Sequence, residues 1–164
     1  MGSKAAVVLT LFLFAIGAGT ATGADAPLPC ARLLTASELR EAAGPGWKAL
    51  GQEEPEAGNS ECTWLLESGA NPKAVLLTYW KKSAIGAADL PGFFELQAKR
   101  AETAHGNGRE VLEGIGARAA LVPGKKPGAM AVLILQTADG VAYVETDDLE
   151  RPQLLRLARA VAEP

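Results

Sequence analysis

Histidine and cysteine are scarce: one His and two Cys in 164 residues. Three such side chains cannot assemble a structural zinc site, and with no Cys-x-x-Cys pair the thioredoxin-type redox motif is absent. A basic balance is missing as well. With 16 Lys+Arg against 19 Asp+Glu the chain carries a formal charge of −3 and a pI near 5.3, which excludes holding a nucleic-acid backbone through net charge. The chain also falls short of the ~200 residues that barrel enzymes and two-domain dehydrogenases usually need. No apolar run reaches the ~20 residues that cross a bilayer as a helix.

What is present begins at the N-terminus. Met1 to Lys4 carries one positive charge, Ala5 to Ile16 is an uncharged apolar run, and Gly17 to Ala24 is a tract of small residues. This is the three-part layout of a secretory signal peptide, with Ala21/Gly23 or Thr22/Ala24 suited to the cleavage site. We read residues 1–23 as a signal peptide cleaved between 23 and 26, and residues 27–164 as a single domain. An uncleaved anchor is the alternative. Lys4 is the only charged residue in 1–23, so the mature chain stays mildly acidic, and stable membrane insertion after leader removal is not expected. Lipid attachment at Cys30 would require a small residue just before it, where Pro29 stands.

An exported chain meets an oxidising space, so Cys30 and Cys62 are expected to form one disulfide. The chain-entropy model assigns such a loop roughly 3 to 4 kcal/mol. A redox-active or nucleophilic thiol is the alternative.

Hydrophobic patterning supplies the elements. Thr35 with Glu38 three residues on spells a capping box, Leu34 and Leu39 a hydrophobic staple, and Gly44-Pro45-Gly46 a stop, predicting a helix over 36–43. Cys62, Trp64 and Leu66 alternate as one face of a strand, Ser68 to Pro72 is a turn, and Lys73 to Lys81 is a second strand, so the two read as a hairpin. Asp89 and Pro91 open a helix to about Ala104 with Leu90, Phe93, Phe94, Ala98 and Ala101 on one stripe, ended by Gly106. A strand pair is expected within Glu110 to Val122. Met130 to Gln136, apolar on both faces, reads as a central strand joined through Ala138-Asp139-Gly140 to Val141–Thr146. Asp147, Asp148 and Pro152 precede an amphipathic helix carrying Leu154, Leu157, Ala158 and Val161, the acids set at its positive end. The order of elements predicts an α+β fold: a mainly antiparallel sheet flanked by helices.

Candidate chemistry is sparse. Gly114-Ile115-Gly116-Ala117-Arg118-Ala119 matches the letter of a dinucleotide fingerprint, but Pro123-Gly124 follows too soon for the helix that binds pyrophosphate, so a glycine-bent connection between strands is expected and no cofactor. His105 sits in the last turn of its helix, where it complements the dipole rather than acting as a base. Ser37, Ser60, Ser68 and Ser83 lack a nucleophile elbow. Glu53, Glu54 and Glu56 lack the order of a calcium loop. Lys125 and Lys126, at a tip bounded by Pro and Gly, offer cations to an anionic envelope component, with a plain connector as the alternative. Trp47 among glycines and the Tyr79-Trp80 pair offer aromatic surface for a ligand or partner, with core burial as the alternative.

Pro29-Cys30-Ala-Arg-Leu33-Leu34-Thr35-Ala-Ser-Glu38, Cys62-Thr-Trp64 and Gly114-Ile-Gly116-Ala-Arg-Ala119 together resemble a bacterial exported family, a domain of unknown function with relatives among actinobacterial envelope lipoproteins. The resemblance implies a PsbP-like α/β/α sandwich with the two cysteines paired, and carries over no catalytic residues. It also implies that the first strand begins directly, where this chain has its glycine-rich Trp47 segment. The expectation is a periplasmic or secreted, monomeric, non-enzymatic binding module for a small ligand or an envelope protein. An inhibitor of an extracellular hydrolase and a small hydrolase are the alternatives.

Overall fold

Thr35 starts a helix by the reciprocal bonds that its spacing from Glu38 suggests. In the computed structural model, which describes residues 27–53, 59–67, 72–86, 89–105, 107–126 and 129–163, the Thr35 backbone N–H donates to Glu38 Oε2 at 2.7 Å and the Glu38 N–H donates to Thr35 Oγ1 at 3.2 Å. Thr35→Ala removes an acceptor for one otherwise unpaired helix N–H, so a loss of about 1 kcal/mol is expected; urea unfolding of wild type and variant measures it.

The elements in chain order are α1 (Cys30–Leu33), α2 (Ala36–Ala43), β1 (Trp47–Glu53), β2 (Asn59–Leu66), β3 (Lys73–Lys81), α3 (Lys82–Ile85), α4 (Leu90–His105), β4 (Glu110–Val111), β5 (Arg118–Val122), β6 (Ala131–Gln136), β7 (Gly140–Thr146) and α5 (Arg151–Ala162). The strands form one antiparallel sheet in the order β1-β2-β3-β7-β6-β5-β4. The fold is α+β, with helices on both faces of the sheet. No helix among the described residues is long and apolar enough to cross a membrane.

Period-two alternation sends each strand's side chains to two cores. On one face Cys62, Trp64, Val75, Leu77, Leu133 and Val144 meet Leu39 of α2 and Leu154, Leu157, Ala158 and Val161 of α5. On the other, Ala120, Val122, Val132, Ile134 and Val141 meet Leu90, Phe94, Ala98 and Ala101 of α4. The central strand β6 is therefore buried along its whole length, as its unbroken apolar run predicts. The Cys30–Cys62 disulfide is present. It ties α1, a short helical turn not expected from the sequence, to the middle of β2.

Three expectations need correction. The glycine-rich Trp47 segment is itself a strand: β1 pairs along β2, but its register slips between Ala49 and Gly51, and that irregularity on an edge breaks the alternation by which strands are recognised. Asp147 and Asp148, expected at the positive end of α5, stand before its first turn and its cap. Glu150 is the cap, with Gln153 completing the box, while Asp147 Oδ2 accepts from the Ala74 N–H at 3.4 Å and Asp148 pairs with Lys73 at 2.5 Å. Both acids finish the end of β7 against its neighbour β3. Finally, Gly140 is not among the left-handed glycines, so the Asp139-Gly140 step is not the type I′ turn that this dipeptide usually marks. The expected leader 1–23, Glu54 and Glu56, Ser68 and the terminator Gly106 lie outside the described residues.

Candidate functional site

The Gly114–Ala119 segment joins β4 to β5 and bends on its glycines, as expected of a strand connection. Gly114 has φ 70° and Gly116 φ 56°, both in the left-handed region that glycine adopts without a steric penalty. A Cβ on Gly116 would lie 2.8 Å from the Gln136 carbonyl oxygen, and that close approach lets the Ala117 N–H donate to the same oxygen at 2.9 Å. The turn folds back against β6, and Arg118 emerges from it on the side of α4.

Two arginines converge there on one carboxylate. Arg109 Nη1 lies 2.7 Å from Glu95 Oε2, and Arg118 Nη1 lies 3.6 Å from Glu95 Oε1. Glu102, two turns along α4 from Glu95, accepts from the Arg109 backbone N–H at 3.1 Å and so holds the chain before β4 against the helix. Between α4 and the β4–β5 turn lies a crevice of about 420 Å³ with Phe94, Leu112, Ile115 and Ala120 among its apolar walls and Glu95, Arg109, Glu113 and Arg118 among its polar ones. Arg118 is half exposed, and its ion pair with Glu95 is longer than a hydrogen bond. Its guanidinium therefore keeps N–H donors for a second anion, and its planar fork matches a carboxylate or a phosphate.

Comparison of the chain with protein-family models, with curated proteins and with solved structures found no match.

Residues singled out in the sequence fall elsewhere. Tyr79 is 4% exposed and belongs to the larger core; the lone Thr137 hydroxyl proton is directed to the Gly140 carbonyl at 3.3 Å, so the Tyr79 hydroxyl donates to Thr137 Oγ1 at 3.2 Å. Burial pushes the Tyr79 phenol above its ordinary pKa, partly opposed by that bond and reinforced by the Asp139 carboxylate. Trp80 points to the other face, edge-on to Phe93 with ring centroids 5.2 Å apart. Trp47 is half-buried against the larger core, and its indole N–H is enclosed without an acceptor among the described residues. None of these three aromatics lines the crevice.

Lys125 and Lys126 are exposed and border a second hollow of about 310 Å³ together with Arg151 and Glu110. Arg151 is bonded to Glu110, which makes its guanidinium harder to deprotonate. His105 closes α4 and lines neither hollow. Among the described residues no group of three or more His, Cys, Asp or Glu is placed to hold a metal ion.

Arg109, Arg118 and Glu95 were not legible as a site. They come from a loop, a strand and a helix far apart in sequence, and no spacing rule joins them. The glycine pair at 114 and 116 was the one usable signal, read correctly as a bend but not as the wall of a crevice.

Proposed function

We propose that this protein is an exported, non-enzymatic binding module, periplasmic or secreted, which holds a small amphipathic ligand in the crevice between α4 and the β4–β5 turn. The ligand's apolar body lies against Phe94 and the exposed Val111, and its anionic group faces Arg118. The observation that carries this reading is the crevice itself: about 420 Å³, within the ~300 to 1,000 Å³ range of small-molecule sites, with mostly apolar walls and a few convergent charges. Export is supported by the leader-like N-terminus and by the cysteine pair being joined. Membership of the exported family that the Pro-Cys and Cys-x-Trp motifs resemble belongs to the same proposal.

Titration with 1-anilinonaphthalene-8-sulfonate, an aromatic anion of suitable size, tests it. Saturable one-to-one fluorescence enhancement is expected. Arg118→Ala is expected to weaken it at least about tenfold, equivalent to ~1.4 kcal/mol, with an unchanged melting temperature because Arg118 is half exposed. The Lys125→Ala, Lys126→Ala double variant, bordering the other hollow, should bind as wild type does. Unsaturable binding, or saturable binding that ignores Arg118, overturns the assignment.

A further inference from the structure

The face of the sheet that carries α4 is only half covered. Helix α4 lies over β5, β6 and β7 and, with α3, reaches β3 only at its Trp80 end, whereas among the described residues no helix covers the same face of β1, β2 and the Leu76 end of β3. Strand register sets what is displayed there. Glu61 is opposite Thr78, which is opposite Tyr143; Thr63 is opposite Leu76, which is opposite Glu145. Because Val132 and Ile134, the β6 partners of Glu145 and Tyr143, lie in the core beneath α4, both rows belong to α4's face. The open half is thus apolar at Leu76, 38% exposed, and acidic at Glu61 and Glu145.

The outward stripe of α4 has the complementary character. Leu96 is 46% exposed, and with Lys99, Arg100, Thr103 and Ala104 it bounds an open hollow of about 480 Å³. Spacings of three and four place these side chains on one line of the helix. Lys99 and Arg100 have no ion-pair partner among the described residues.

We propose that two copies of this chain associate face to face about a two-fold axis, each α4 lying over the partner's open half-sheet with Leu96 against Leu76 and with Lys99 and Arg100 facing Glu61 and Glu145. One patch pairs with itself through the axis, as an isologous contact requires. The dimensions suit it. A helix of 16 residues is about 24 Å long and 10 Å wide, and an open half-sheet of three strands is roughly 14 Å by 20 Å, so a subunit contributes on the order of 500 Å² in projection, against the ~800 Å² of accessible surface per partner in a stable dimer. The occupant is a second copy rather than a foreign helix because the basic, apolar stripe that the acidic face calls for lies beside it on the same chain. This assembly takes the place of the monomer expected from the sequence, and it stands independently of the proposed ligand.

Sedimentation velocity of the purified, disulfide-bonded protein across about 1 to 300 μM tests the assembly. A concentration-dependent shift to the dimer mass is expected. The Lys99→Glu, Arg100→Glu variant and the Glu61→Lys, Glu145→Lys variant should each associate at least about tenfold more weakly, and an equimolar mixture of the two should recover the dimer, because both helix-on-sheet contacts are then of opposite charge. Leu96→Arg, at an exposed helix position, should also yield monomer and reads the same contact should Glu145→Lys disturb the sheet. A wild type that remains monomeric throughout, including one that instead captures a basic amphipathic peptide, overturns the proposal. So does a dimer indifferent to these substitutions, or a mixture that fails to recover it.

Discussion

Replacing both cysteines, Cys30→Ser with Cys62→Ser, is expected to lower the melting temperature by about 10 to 15 °C, corresponding to ~3 to 4 kcal/mol for a domain of this size. The two positions are 32 residues apart, so the bridge removes substantial freedom from the unfolded chain, and the segment it closes contains α1, α2 and the edge strand β1. Those elements rest on the sheet through a modest set of apolar side chains: Leu33, Leu34, Leu39, Ala42 and Ala43. Without the covalent tie, the cooperative unit must retain the N-terminal segment by that burial, by the β1–β2 ladder and by the bonds from Gln153 and Arg156 to the end of α2. Differential scanning calorimetry of the oxidised protein and the double variant decides the matter, and a difference below about 3 °C would show that the bridge contributes little to folding.

The second large effect is expected at one buried glycine. A methyl group on Gly140 would lie 2.2 Å from the Trp80 carbonyl oxygen and 2.7 Å from the ring and hydroxyl of Tyr79. Gly140 pairs with Lys81 at the start of β7, so the obstructing oxygen belongs to the backbone of a central strand and cannot move aside by a change of rotamer. Gly140→Ala is expected to cost about 3 kcal/mol or more through overpacking and strand displacement. Gly108→Ala serves as the control. A Cβ there meets nothing within 4 Å, and its effect should stay within about 0.5 kcal/mol. Equal stabilities for the two variants in denaturant unfolding would refute the steric account.

The Asp139-Gly140 pair also shows how a correct reading rests on the wrong cause. The dipeptide marked a reversal between two strands, and β6 and β7 are joined there. The glycine, however, is required by the neighbouring strand β3 and not by a left-handed turn. The Tyr79-Trp80 pair makes a related point. Adjacent residues on a strand point to opposite faces, which leaves Tyr79 in one core and Trp80 against α4, yet that β3 would be a central strand covered at this end on both sides follows from strand order alone. Of the two readings open for the pair, aromatic surface or core burial, Tyr79 takes the second.

Local chemistry was sufficient for what depends on neighbours within a few residues. The Thr35–Glu38 box, the stripe of Leu90, Phe94, Ala98 and Ala101, the wholly apolar β6 and the amphipathic α5 were all legible, because caps and periodicities are short-range properties of the chain. Tertiary structure decided the rest: the β1-β2-β3-β7-β6-β5-β4 order, the roles of Asp147 and Asp148 at the sheet end, the meeting of Arg109, Arg118 and Glu95, and the half-sheet left open beside α4. Each of these arises where segments distant in sequence come together, and a chain's local propensities do not specify which distant partner a strand edge or a charged side chain will meet.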